Sequence, residues 1–329
     1  MPQTPKSLAK MALAITLTAL LSFWILQQLD WRQLQSLFTN LRWPYLFLGL
    51  LFYCSVYLHR NLRFLLLLPR WEIPFFSFLP LTAVHNLYVR LLPNPAGEMA
   101  FIYLAKKHFQ IPLSQSLSTL FFYRLFDFIA IIIIFLLNWL LHRHTFTSLP
   151  RGPQTVFLAL ALLAFLFLLL FFLPFFLQQF NRAAQRWLFL APLQKPLQKL
   201  QQSLTLLQKK KLYLQTLFLS FSLWLNMYGA YYFFLRSLQL KINLPFLVFG
   251  ATTQNLANAL PNLGGWGVME AGWLVGLKLS GLTTQQALLA AVGVDLLTFA
   301  GTLLWGSGGG LILFLKKNLV SKSNGSDNS

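Results

Sequence analysis

The feature that most constrains this chain is a set of apolar runs, clearest at 8–26, 44–68, 153–177 and 212–235. Each is long enough to cross a hydrocarbon core of about 30 Å, which takes about 20 apolar residues as helix. In that medium the backbone must satisfy its own N–H and C=O groups, which helices do within one segment. A membrane β-barrel would instead need short alternating segments, and none are found. With 57% hydrophobic and only 10% charged residues among 329, the composition is not that of a soluble domain. The expected fold class is an all-α polytopic membrane protein.

The first apolar run is too long for a signal-peptide core, and no small-x-small site follows "LLSFWILQQLDW", so it is read as an uncleaved span. The single cysteine, Cys54, excludes an intramolecular disulfide and a cysteine metal cluster. His142 and His144 sit two apart in a short loop, a solvated pair rather than metal ligands. No metal or cofactor is expected. A net charge of +19 would suggest nucleic acid in a soluble protein. Here cationic loops facing anionic lipid explain it, and no nucleic-acid partner is expected.

Six long spans are expected at about 8–28, 44–68, 112–141, 152–177, 211–235 and 283–315. Two segments remain, 74–109 and 244–280, each an apolar arm, then Leu-Pro-Asn, then a shorter Gly-bearing arm. Short broken pairs read best as re-entrant hairpins that return to the side they entered from. Crossing hairpins would raise the count to 8–10 spans. With the N-terminus inside, seventeen Lys and Arg fall on cytoplasmic segments and seven outside, leaving Arg90 and Arg124 within the membrane. That agrees with the positive-inside rule and puts both termini in the cytoplasm. The segment 178–211 carries leucines at 193, 197, 200, 204 and 207, one face of an amphipathic helix on the inner leaflet. Residues 317–329 are small and polar and read as a disordered tail.

A shift of 168 positions brings Pro93 onto Pro261, Asn94 onto Asn262, Gly97 onto Gly265 and Asp127 onto Asp295. Each half reads as span, span, hairpin, span. Three crossings per half invert the second half relative to the first. The expected organisation is therefore one membrane domain of two inverted repeats, three spans plus one hairpin each. Residues 1–177 hold the first repeat and the start of the second, and 212–316 hold the rest. The hairpin tips would meet near the bilayer midplane, and such breaks are the best sequence pointer to a binding site.

The tips carry the candidate site. The prolines and glycines of "LLPNPAGEMAF" and "LPNLGGWGVMEAG" shape the turns. Each second arm starts a helix whose N-terminus, with free N–H groups, is suited to an anion. Four of the seven acids, Glu98, Asp127, Glu270 and Asp295, belong to the repeated elements. A charge near a helix centre costs about 2.5–3.5 kcal/mol even on the lenient insertion scale, so these groups must be paired, protonated or wet. Arg124 and Asp127, three apart on one helix, are expected to pair. Arg90 and Glu98 bracket the first turn and could meet across it, while Asp295 has Val292 where an arginine would stand. The bland readings are that Glu98 complements a helix dipole, that Arg124–Asp127 is structural, and that Asn258 and Asn262 satisfy local backbone. Asn255, His85 and Asn86 could contact a polar headgroup on the same terms. The glycine run "GSGGG" at 306–310 lacks the Lys-Ser/Thr of a phosphate loop and reads as a helix contact.

These residues also carry a resemblance. The element Pro93, Gly97, Glu98, then Arg124 and Asp127, resembles the first signature of the lysylphosphatidylglycerol synthase transmembrane-region family, also described as flippase-like. Pro261, Gly265, Gly267 and Glu270 resemble the second, and the similarity runs over roughly 10 to 316. The resemblance implies movement of lipid headgroups between leaflets. It also implies a possible separate cytosolic transferase as partner, since the largest loop here, about 34 residues, is too short to be one. The expected substrate-binding set is Arg90, Asn94, Gly97, Glu98, Arg124, Asp127, Asn258, Asn262, Gly265, Glu270 and Asp295. The expected ligand is an anionic lipid, in a multi-pass protein of the bacterial inner membrane with no catalytic step. The alternative is a membrane-embedded enzyme or enzyme partner in lipid-linked sugar or aminoacyl-lipid metabolism. Nothing in the residues fixes the oligomeric state.

Overall fold

A computed structural model describes residues 5–68, 72–93, 96–146, 152–186, 197–198, 201–202, 212–258, 262–279 and 281–326. Within them the chain is all helical. In order the helices are α1 (Pro5–Gln28), α2 (Trp31–Thr39), α3 (Trp43–Leu67), α4 (Phe75–Leu91), α5 (Ala96–Phe109) and α6 (Leu113–Leu141). A 3-10 turn at Arg143–Phe146 leads to α7 (Gly152–Arg186), α8 (Leu212–Ser237), α9 (Leu244–Ala257), α10 (Val268–Leu279) and α11 (Thr284–Ser326). The ends follow local chemistry. Asp30 caps α2 by accepting from the N–H groups of Arg32 (2.9 Å) and Gln33 (3.1 Å). Pro44 stands in the first turn of α3, where its missing N–H costs nothing.

Among the described residues two helices are each long and apolar enough to span a membrane, α6 and the Thr284–Lys316 part of α11, with mean hydropathies of 2.5 and 2.0. Two bent pairs raise the number to four if each is one span: α2 with α3, at 92°, and Gln154–Leu170 with Phe175–Arg182 inside α7, at 52°. The segments expected as the first and fifth spans are helical, as α1 and α8 of 24 and 26 residues, but neither is among these candidate spans. Three boundaries differ from expectation. The short helix α2, with Trp31 exposed, occupies a stretch read as plain loop. α7 runs on to Arg186, into the segment read as an amphipathic loop, most of whose remainder lies outside the described residues. α11 continues to Ser326, past the point where a disordered tail was expected.

The centre of the bundle is the packing of α3 along α8, where Tyr53, Val56 and Tyr57 meet Leu223, Trp224, Tyr231 and Phe234, all buried. The two helical hairpins, α4–α5 and α9–α10, lie around this centre. The first arm of one, α4, packs on α11; the first arm of the other, α9, packs on α6. Part of the glycine run read as a helix contact is one: a side chain at Gly309 would meet the Pro80 carbonyl of α4 at 2.7 Å, whereas Gly308 faces open space.

The second hairpin closes on small residues. A Cβ at Gly272 would stand 2.5 Å from Gln254 Cα, and one at Gly276 would strike the backbone of Gly250. At this contact Thr253 Oγ1 donates to the Gly272 carbonyl (2.6 Å). Because the obstructing atoms are backbone, the arms must separate to admit a side chain. Gly272→Val is therefore expected to destabilise the protein by about 1–3 kcal/mol. Gly308→Ala should leave stability unchanged, and thermal unfolding of both variants in detergent tests this.

Candidate functional site

The two hairpins touch at their tips. Pro93 and Leu263 form an antiparallel bridge, and the Leu263 N–H also donates to Thr18 Oγ1 of α1 (2.9 Å). The second tip needs its glycines, since Gly264, Gly265 and Gly267 have φ of +62°, +87° and +76°, a region that side chains disfavour. Asn262 holds this turn: its Oδ1 accepts from the Gly265 N–H (2.7 Å) and its Nδ2 donates to the Asn258 carbonyl (3.0 Å). Asn262 thus satisfies local backbone groups of the turn. On the first hairpin Gly97 lets α5 close on α4, where a Cβ would sit 2.6 Å from Val89 Cα. Asn94 lies outside the described residues.

The ion pairs differ from the expected ones. Asp127 is bound by Arg63 Nη1 at 2.6 Å, not by Arg124. Arg63 also donates to the Tyr123 carbonyl (2.8 Å), and Trp224 Nε1 donates to Asp127 (2.8 Å). Arg124 pairs with Glu98. Arg90, expected near Glu98, reaches across to Asp295 instead and donates to the Gly264 carbonyl (3.0 Å). Its guanidinium lies 5.0 Å from the Trp266 ring centroid. The physical reason is direction. Arg124 and Asp127 share a helix face, but facing helices offer each a partner that also supplies packing, and Arg90 points toward the second tip rather than back along its own turn. Glu270, expected near the tip, is buried with its Oε2 free of hydrogen bonds.

The pairs also differ in exposure. Arg63 and Asp127 side chains are 0% and 5% exposed, whereas Arg124 is 42% exposed. Arg124 lines a partly open cavity of two adjoining lobes. One lobe, about 240 Å³, is lined by Glu98, Arg124, Asp127, Phe128, Ile131 and Trp224, with Asn255 and Asn258. A smaller lobe of about 110 Å³ shares Arg124, Asp127, Trp224, Asn255 and Asn258 and adds Arg60, His85, Asn86, Arg90 and Gly264. Of the expected set, Arg90, Glu98, Arg124, Asp127 and Asn258 line this space. Gly97, Asn262, Gly265, Glu270 and Asp295 stand behind it as turn residues or counter-charges.

Sequence reasoning missed Arg60 and Arg63, which it assigned to a cytoplasmic flank. Both lie inside α3, within the apolar run 44–68, and three residues apart they share a face. That position inside a span was the available signal. His85 and Asn86, singled out as possible headgroup contacts, do line the cavity.

The model of the family "Lysylphosphatidylglycerol synthase TM region" matches residues 11–306. The chain belongs to this family and is an integral membrane protein, a helical membrane domain of a lipid-modifying and flippase-like group. Comparison with curated proteins and with solved structures gives no significant match.

The exposures make a prediction. Removing one partner of a fully buried pair leaves a charge without compensation, at a cost of about 3–5 kcal/mol. Arg63→Gln should therefore lower the yield and thermal stability of folded protein, whereas Arg124→Gln, at the cavity wall, should change stability little. Size-exclusion profiles and melting curves of the purified variants decide between these outcomes and an equal loss.

Proposed function

We propose that this chain is an ATP-independent, flippase-like transporter that moves an anionic lipid, a phospholipid or a polyprenyl-phosphate-linked one, between leaflets. The observation that carries the reading is the contact of the two hairpin tips beside a cavity lined by arginines from several helices. Irregular backbone at membrane depth is tolerated where it lines such a space, and helix starts beside it favour an anion.

An organisation into inverted halves fits this reading. A shift of 168 positions carries the starts of α3, α4 and α6 to within three residues of those of α8, α9 and α11. The exchanged packing, α4 on α11 and α9 on α6, is what a two-fold relation would produce. At 1.5 Å per residue the hairpin arms, of 12 to 17 residues, are about 18–26 Å long, short of a 30 Å crossing. Re-entry follows. With Arg60 and Arg63 removed from the cytoplasmic tally, fifteen basic residues stand against seven, which keeps both termini inside.

In this mechanism the headgroup enters the cavity and competes with Glu98 for Arg124, the partly exposed pair, while Arg63–Asp127 holds the scaffold. Arg90 links the first hairpin to Asp295 and to the second tip, so a shift of one hairpin is felt by the other. Glu98 and Glu270 exchange partners or protons as access alternates. No chemistry on the lipid is required, and a separate cytosolic transferase would supply any modified headgroup.

Proteoliposomes containing fluorescent anionic lipids and an impermeant quencher test the proposal. Wild type is expected to move lipid, with Glu98→Gln, Glu270→Gln and Arg124→Ala losing movement at equal reconstitution. Absence of movement with wild type, together with product formed from labelled lipid, would replace transport with the enzyme reading.

A further inference from the structure

Four arginines line or adjoin the cavity, and three have carboxylate partners: Arg63 with Asp127, Arg90 with Asp295 and Arg124 with Glu98. Arg60 has none within salt-bridge distance among the described residues; Asp127, on the same lobe, acts on it only through space. Among the described residues its one hydrogen-bond partner is the neutral side-chain amide oxygen Oδ1 of Asn86, and its Nε is buried without a partner. Asn86 is itself anchored, its Nδ2 donating to the Thr82 carbonyl (2.8 Å).

Beside Arg60 stands His85, 2% exposed, with neither ring nitrogen in a hydrogen bond. It is wedged between the rings of Phe64 and Phe101, with centroids 5.7 and 5.4 Å away. The Glu98 carboxylate lies 3.7 Å from its Nε2. Arg60, His85 and Arg124 thus face one lobe of the cavity. The two carboxylates on that side are both engaged, Asp127 by Arg63 and Trp224, and Glu98 by Arg124. A part-buried guanidinium with no carboxylate in contact is satisfied by water or by an anion entering the cavity it lines.

We propose that Arg60 is the fixed cation of a phosphate site, which it forms with Arg124 and with His85 as a further donor. The ligand is a phosphate ester, and the guanidinium forks of Arg60 and Arg124 suit its oxygens. When phosphate arrives, Arg124 turns from Glu98 to the ligand, while Arg60, with no carboxylate to leave, stays in place on α3. This deepens the transport reading by naming the headgroup's anchor, and it rests on that reading only for the phosphate being part of a lipid.

The test measures binding apart from movement. Purified protein in neutral detergent is titrated with inorganic phosphate. In a second arm, protein in phosphatidylcholine nanodiscs receives dioleoyl phosphatidic acid, and both arms are followed by phosphorus NMR and calorimetry. Arg60→Gln is expected to weaken binding by about ten- to a hundredfold, the range for a charged hydrogen bond. Arg60→Lys should recover part of the loss. Arg182→Gln, at the far end of α7, should bind as wild type. Melting curves accompany each variant, and where Arg60→Gln is unstable the Arg60→Lys variant and the salt dependence of wild-type binding carry the result.

Binding of the lipid with this Arg60 dependence supports a headgroup site. Binding of inorganic phosphate alone, with the same dependence, supports the site and assigns it to the free anion. Equal affinities in wild type and a folded Arg60→Gln, or no binding to wild type in either arm, overturn the proposal. Lipid movement that survives Arg60→Gln would refute this anchor and leave transport standing. Arg60-dependent binding without any movement by wild type would do the reverse.

Discussion

A charge in the interior of an apolar bundle must find an opposite charge or water, and that requirement orders this protein. Desolvating an ion costs several kcal/mol even after relaxation, so a helix one turn out of register would strand its charge. The three arginine–carboxylate pairs meet this constraint by joining separate elements: α3 to α6, α5 to α6, and α4 to α11. The Arg90–Asp295 pair has the longest reach, and through the Gly264 carbonyl it also holds the second hairpin tip. Packing among apolar helices is permissive about rotation, and these pairs are not.

The same groups divide by exposure into scaffold and working parts. Arg63, Asp127 and Trp224 form a mutually bonded cluster in which the Arg63 side chain is fully buried and Asp127 already accepts from two donors. Arg124 and Glu98 stand at the cavity wall, where an incoming anion can compete. Arg60 and His85 lack carboxylate and hydrogen-bond partners respectively, apart from the bond to Asn86. An argument from charge alone would treat the four arginines as equivalent; their partners separate them.

Much of the fold was legible because hydropathy acts locally. Apolar runs place α3, α6, α8 and the start of α11 to within a few residues, and Leu-Pro-Asn marks both hairpin turns. The glycines of the second tip are equally readable, since their positive φ is a demand of the backbone itself. Where reasoning failed, it relied on neighbours along one helix. Arg124 was matched to Asp127 by a spacing of three, and Arg60 and Arg63 were assigned to a flank although they sit inside an apolar run. Asn262, read both as a headgroup contact and as a group satisfying local backbone, holds its own turn.

By itself the sequence determined that this chain is a bundle of membrane helices with two broken hairpins, and which polar residues had to be accommodated at depth. Those properties follow from single segments in contact with lipid, where backbone satisfaction and side-chain transfer are settled helix by helix. Only the tertiary structure decided which arginine meets which carboxylate, that Pro93 and Leu263 touch, and that Arg60 is left facing a cavity. Partner choice depends on the rotation and crossing of helices distant in the chain, a collective result of packing that no single segment encodes.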